Sequence, residues 1–231
     1  MPDGRDPYHR MTSHIAVVGA SLAGSRTVRM LRQRGYDGRI TVIGAELHAP
    51  YDRPPLSKGF LTADQATPKY LEAGDLLDSA EMLLNTRAVA LRLADREIET
   101  DDGRRIRADH IVVATGVAAR GLPGECPRAG VHTLRTLDDA EAIRRDLTDT
   151  KRVVIVGAGF IGCEVAAAAR HLDINVVMVD PGAAPVIRGV GAEIGAAVAD
   201  LHRANGVDLR LQTSVTGVEG VARASSSSLR R

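Results

Sequence analysis

The chain has 231 residues, 44% of them apolar, with 30 basic and 29 acidic side chains and a formal net charge of +1. That supplies enough apolar surface for one large or two small domains, and no field that draws nucleic acid or an anionic membrane. No apolar run approaches the roughly 18 residues of a membrane-spanning helix, and the two cysteines, Cys126 and Cys163, form no CxxC pair, which leaves out a membrane partner and a dithiol redox centre.

Residues 1–13 read as a loose arm without the apolar segment of a signal peptide, so a cytoplasmic location is expected. The stretch HIAVVGASLAGSRTVRMLR, residues 14–32, passes from a β-branched strand through a glycine turn into a helix start. Its turn is Gly19-x-Ser21-x-x-Gly24, with serine in place of the middle glycine of the dinucleotide fingerprint. The helix should close near Gly35 behind Arg32 and Arg34, and the following strand, RITVIGAE, leads to Glu46, placed to accept hydrogen bonds from a ribose. Prolines 50, 54 and 55 then predict a rigid, extended loop over 45–60 that presents Arg53 and Lys58.

Farther on, REIETDDGRRIRAD at 96–109 reads as a hairpin turning at Asp102-Gly103, and IVVATG at 111–116 as a short buried strand. RTLDDAEAIRRDL at 135–147 is amphipathic and helical. KRVVIVGAGFIGCEVAAAAR at 151–170 is a second fingerprint: Gly157 for the sharp turn, Gly159 for the approach of a pyrophosphate, Gly162 for close packing of helix on strand. The helix start favours an anion through its unpaired N–H groups and its dipole. NVVMVD ends on Asp180, an acid that favours an unphosphorylated ribose and so NADH over NADPH. A helix over 191–206 stopped by Gly206, a strand over 207–215 and a serine-rich, disordered end complete the reading. The seven histidines show no metal-site spacing, so no metal is assigned, and Cys163 reads as a small packing residue.

One fingerprint indicates one nucleotide; two indicate electron transfer between two. GASLAG, PYDRPPLSK, VVATG, GVHTLRTLDDA and GAGFIGCE, in this order from residue 14 to about 216, resemble the FAD-dependent pyridine nucleotide-disulfide oxidoreductase superfamily, and within it the ferredoxin and rubredoxin reductases that supply oxygenases and cytochromes P450. The resemblance implies an α/β fold of two Rossmann-like three-layer nucleotide-binding units, an FAD unit interrupted by an NAD unit, with the FAD unit incomplete. The segments are 14–118 (first FAD segment), 119–150 (connector with a helix), 151–217 (partial NAD(P)H unit) and 218–231 (tail).

By the same resemblance, FAD would be held by Gly19, Ser21, Ala23, Gly24, Glu46, Arg53, Pro54, Lys58, Ala88, Thr115, Gly116 and Arg135. NADH would be held by Gly157, Gly159, Ile161, Gly162, Asp180 and Arg188, with Lys58 by the isoalloxazine and Glu164 paired to it as the catalytic pair. The implied activity is hydride transfer from NADH to FAD, then release of single electrons to a ferredoxin-like iron–sulfur carrier. Family members return from the NADH domain to complete the FAD domain, and no such segment follows here. The rival is therefore a truncated, catalytically inert nucleotide-binding fragment of such a reductase. A single-nucleotide dehydrogenase would need a catalytic set such as Tyr-x-x-x-Lys, which is absent.

Overall fold

The computed structural model describes residues 13–71, 79–122 and 129–218. Those residues divide into two compact units, one holding 13–52 and 69–117, the other 53–68 and 118 onward. The expected arm, Cys126 and most of the serine-rich tail lie outside the described residues.

In the first unit, strands β1 (His14–Val18), β2 (Arg39–Ile43), β3 (Glu81–Leu83) and β7 (His110–Val113) form a parallel sheet in the order β3-β2-β1-β7. Side chains alternate across the sheet. Ile15, Val17, Ile40 and Val42 join Val28 and Leu31 of helix α1 (Leu22–Gln33) on one face. Ala16 and Ile43 meet Ile98 and Ala108 on the other, beside a meander of β4 (Ala88–Arg92), β5 (Glu97–Thr100) and β6 (Arg105–Arg107). The unit is therefore three layers: helix, parallel sheet, antiparallel sheet. The hairpin read at 96–109 is β5 and β6 in the register Ile98↔Ile106, with Gly103 left-handed at its turn.

The second unit carries a parallel sheet in the order β10-β9-β8, from β8 (Arg152–Val156), β9 (Asn175–Val179) and β10 (Val207–Arg210). Ile155, Val176, Met178 and Val207 pack with Ala166 and Ala169 of helix α4 (Phe160–His171) and Leu147 of α3 (Leu137–Asp149). Helix α5 (Ile187–Ala204) packs against β10 and carries a break at Gly191 (φ 83°), the residue at which the sequence starts this helix.

Four expectations need correction. The strand read at 111–116 is β7 and is only half-buried: Ile111 and Val112 are partly covered and Val113 is 65% exposed, because β7 is an edge strand. The loop over 45–60 is not extended throughout. Pro54 and Pro55 open a 3-10 turn, Pro54–Ser57, where a missing N–H costs nothing, and one helical turn, α2 (Gly59–Thr62), follows. The first unit also does not run unbroken from 14 to 118. Leu56, Phe60 and Leu61 are buried in the second unit, where α2 packs on α3 and α4, and this carries 53–68 with them. Strand β10 ends at Arg210, short of the nine residues expected.

Candidate functional site

In the first unit the chain leaves β1 at Gly19, whose φ is +121° and whose N–H donates to Ile43 O at 2.8 Å. A Cβ there would lie 2.1 Å from Ala114 O and 3.2 Å from Thr115 N, so the turn and the Thr115-Gly116 segment after β7 can approach this closely only with glycine at 19. A Cβ on Gly24 would lie 1.9 Å from Gly19 O, which fixes how near α1 sits to the turn. Ser21, the residue before α1, is extended (φ −124°), a conformation open to any residue, so the backbone accepts serine in place of the fingerprint's middle glycine. Gly19, Ser21, Ala23, Gly24, Thr115 and Gly116 thus gather where β1 and β7 end and α1 begins.

Glu46 follows β2, half-buried, and its carboxylate accepts the phenol of buried Tyr51. Its carbonyl accepts Asn85 N–H at 2.9 Å. Ala88 begins β4 and packs against the cluster of Ala16 and Ile98.

The second unit repeats the turn. Gly157 has φ +106° and donates to Val179 O at 2.8 Å, and a Cβ on Gly162 would again lie 1.9 Å from the first glycine's carbonyl. A Cβ on Gly159 would meet nothing within 4 Å, so the space over the N-terminus of α4 is open. Asp180 braces this turn: one carboxylate oxygen accepts Ala158 N–H at 2.7 Å and the other Gly182 N–H at 2.6 Å. Each oxygen keeps a further lone pair for a hydroxyl. Phe160 and Ile161 stand exposed on the first turn of α4, and Arg188 is exposed on the first turn of α5. Open space at a helix N-terminus, glycine turns and an acid at the end of the neighbouring strand suit the pyrophosphate and ribose of a dinucleotide.

Arg53, Pro54, Lys58, Arg135 and Glu164 lie in the second unit. Lys58 Nζ stands 3.0 Å from Glu164 Oε1 and donates to Pro54 O at 3.1 Å. Arg53 Nη1 donates to Arg135 O at 2.6 Å, and Arg135 N–H donates to Asp139 Oδ2 at 2.9 Å. Asp139 and Thr136 form a capping box at the start of α3.

Three participants escape the sequence reading. Ser57 donates to Glu164 Oε2 at 2.5 Å, Tyr51 holds Glu46, and Asp139 holds Arg135. Asp139 was findable from the Thr-x-x-Asp pattern before an apolar run; the other two depend on chain segments meeting in three dimensions. Cys163 is free, and its thiol is pushed up by burial and then by the charges of Asp180 and Glu164, which keeps it protonated and a poor nucleophile. Among the described residues no His, Cys, Asp and Glu cluster could hold a metal ion, and no helix is long and apolar enough to cross a membrane.

A family model described as pyridine nucleotide-disulphide oxidoreductase matches residues 13–229. The chain is 42% identical over 214 residues to the ferredoxin–NAD(+) reductase subunit of a benzene 1,2-dioxygenase system from Pseudomonas putida, covering 91% of this chain and 52% of that one. It is 36% identical to putidaredoxin reductase from Pseudomonas putida, covering 89% of this chain and 50% of that one. Among solved structures, a ferredoxin reductase for the CYP199A2 system from Rhodopseudomonas palustris superposes with a TM-score of 0.84 at 34% identity, over 90% of this chain and 52% of that one. A covalent putidaredoxin reductase–putidaredoxin complex gives 0.81 at 34%, over 90% and 51%. The chain spans about half the length of the relatives it matches.

Proposed function

The chain belongs to the pyridine nucleotide-disulphide oxidoreductase family, and from that premise we propose that it carries the FAD and NADH sites of a ferredoxin–NAD(+) reductase, which passes electrons to a ferredoxin-like iron–sulfur carrier of an oxygenase or cytochrome P450 system. The observation that carries this reading is the presence of two glycine turns, each at a helix N-terminus and each followed by an acid after the next strand. The relatives support the type of acceptor, since they are named as ferredoxin reductases. A cytoplasmic location goes with the reading, as the compartment in which NADH is generated.

Bound FAD supplies the exchange between a two-electron hydride donor and a one-electron acceptor. The protein's part is to bind and orient. The N-terminus of α1, with Gly19, Ser21, Ala23 and Gly24, receives the pyrophosphate of FAD, and Glu46, fixed by Tyr51, accepts from its ribose. Ala88, Thr115 and Gly116 line the same ligand; Arg53, held by the Arg135 carbonyl, and Pro54 serve the flavin end. The N-terminus of α4, with Gly157, Gly159, Ile161 and Gly162, receives the pyrophosphate of NADH. Asp180 accepts from the adenosine ribose with Arg188 near it, and its negative charge repels a 2′-phosphate, so NADPH is the poorer donor. Lys58 is the cation that stabilises negative charge developing on the flavin, and Glu164 holds it in place.

An anaerobic visible spectrum of the 231-residue chain loaded with FAD, before and after NADH, tests this. A flavin band that bleaches on addition of NADH is the expected result. With FAD kept in excess, a flavin band that NADH does not bleach overturns it for this length of sequence and assigns turnover to the longer relatives alone.

A further inference from the structure

The second unit contains a buried hydroxyl to which the function above gives no work. Ser57 ends the 3-10 turn and is 5% exposed. Its Oγ donates to Glu164 Oε2 at 2.5 Å, while the other oxygen of the same carboxylate faces Lys58 Nζ at 3.0 Å. We propose that Ser57 is a positioning residue for the Lys58–Glu164 pair, acting through Glu164; the importance of the pair rests on the flavin reading above, and the contact itself does not.

A glutamate held at one oxygen still turns about its last torsion, and a half-exposed lysine facing it is open to competition from water. Held at both oxygens, the carboxylate has a fixed plane, and Oε1 stays directed at Nζ. Ser57 is well suited to this because its own position is fixed beforehand. Pro54 and Pro55 set the turn, Leu56 on one side and Phe60 on the other are buried, and Lys58 N–H closes the turn on Pro55 O. The hydroxyl is not used to close that turn. Among the described residues its hydrogen bond is the one to Glu164, 107 positions along the chain. Lys58 is held in turn by Pro54 O, so the turn grips the ammonium while its serine grips the carboxylate.

The test is a cycle of Ser57→Ala, Glu164→Gln and the double variant, reading the rate at which Lys58 of the flavin-free chain is acetylated by acetic anhydride. Lys69 and Lys151, both exposed, serve as internal standards in the same digest. Ser57→Ala is expected to speed Lys58 labelling roughly fivefold, as a hydrogen bond to a charged group is lost in a half-exposed site. In the Glu164→Gln background it should change nothing further, since the group it acts through is already altered. An unchanged rate in Ser57→Ala, or a change that persists undiminished in the Gln background, overturns the proposal. Should Ser57→Ala lack a cooperative melt, Ser57→Cys, a close fit with a weak donor, completes the cycle under the same criteria. A second readout is the midpoint potential of bound FAD, which Ser57→Ala should lower and Glu164→Gln should shift. If Glu164→Gln leaves that potential unchanged, the flavin reading of the pair fails while the labelling cycle still decides what Ser57 does.

Discussion

At the scale of single residues, the glycines and the acids of the two turns behave differently as sequence signals. Gly24 and Gly162 were legible because a carbonyl oxygen 1.9 Å from the position of a Cβ leaves no other choice of residue. Asp180 was legible as an acid after a strand, yet what it touches in the protein was not: it accepts the N–H groups of Ala158 and Gly182, and so braces the turn it was expected only to accompany. Asp180→Ala is therefore expected to do two things. It should weaken NADH binding while leaving FAD binding unchanged, measured by titration of each nucleotide, and it should cost about 1–3 kcal/mol of stability by leaving two N–H groups without their acceptor. Equal losses for both nucleotides would reject the assignment. His202 offers a pH test on the same scale. It is buried on α5, and burial lowers its pKa below the ordinary value. The unfolded chain then binds more protons than the folded one as pH falls through the ordinary histidine range near about 6.5. The contribution is thus complete above that range and is lost below it. Urea midpoints at pH 7.5 and 5.5 should differ less in His202→Leu than in the parent chain.

At the scale of elements, regular periodicity was readable and contact between distant segments was not. The fingerprint strands and helices announce themselves by β-branched runs and glycine stops, and α3 by its amphipathic pattern; Thr136 and Asp139, whose reciprocal bonds satisfy the first N–H groups of the helix, cap it in the structure. Thr136→Ala should lower stability by about 1 kcal/mol, a shift visible in a urea melt, and Thr136→Ser should restore most of it. The proline segment misled because prolines forbid a helix interior but suit a helix start. Whether Pro54-Pro55 begins a turn or an extended run is decided by the burial of Leu56, Phe60 and Leu61 two to seven positions on. The same packing brings Ser57 and Lys58 to Glu164. The lysine and the glutamate were legible through family resemblance; the serine between Leu56 and Lys58 carried no signal of its own, since a buried hydroxyl is identified by its acceptor. Strand β7 shows the converse failure: an apolar run that reads as buried is half-solvated where the sheet has no further strand beside it.

At the scale of the whole molecule, each parallel sheet leaves apolar side chains in water. Val113 and Val117 are exposed at and after β7 in the first unit, and Val154 and Val156 on β8 in the second, whereas parallel strands are ordinarily covered on both faces. Uncovered apolar strands at a sheet edge favour association between chains. Light scattering should therefore show mass rising with concentration, and Val113→Thr with Val154→Thr should reduce it. The same exposure bears on ligand retention, because a nucleotide bound to a unit with an uncovered face gains less ordered surface to hold it. FAD binding is expected to be weak, and thermal shift measures it directly. A ligand at 100 times its dissociation constant raises stability by about 2.7 kcal/mol, and one below its dissociation constant by less than about 0.4 kcal/mol. At micromolar FAD the melting temperature of the 231-residue chain should hardly move. A large rise that saturates at micromolar FAD would mean that the glycine turn at Gly19 and the Glu46–Tyr51 contact bind the cofactor tightly despite the bare face of β7, and that the exposed valines matter for association alone.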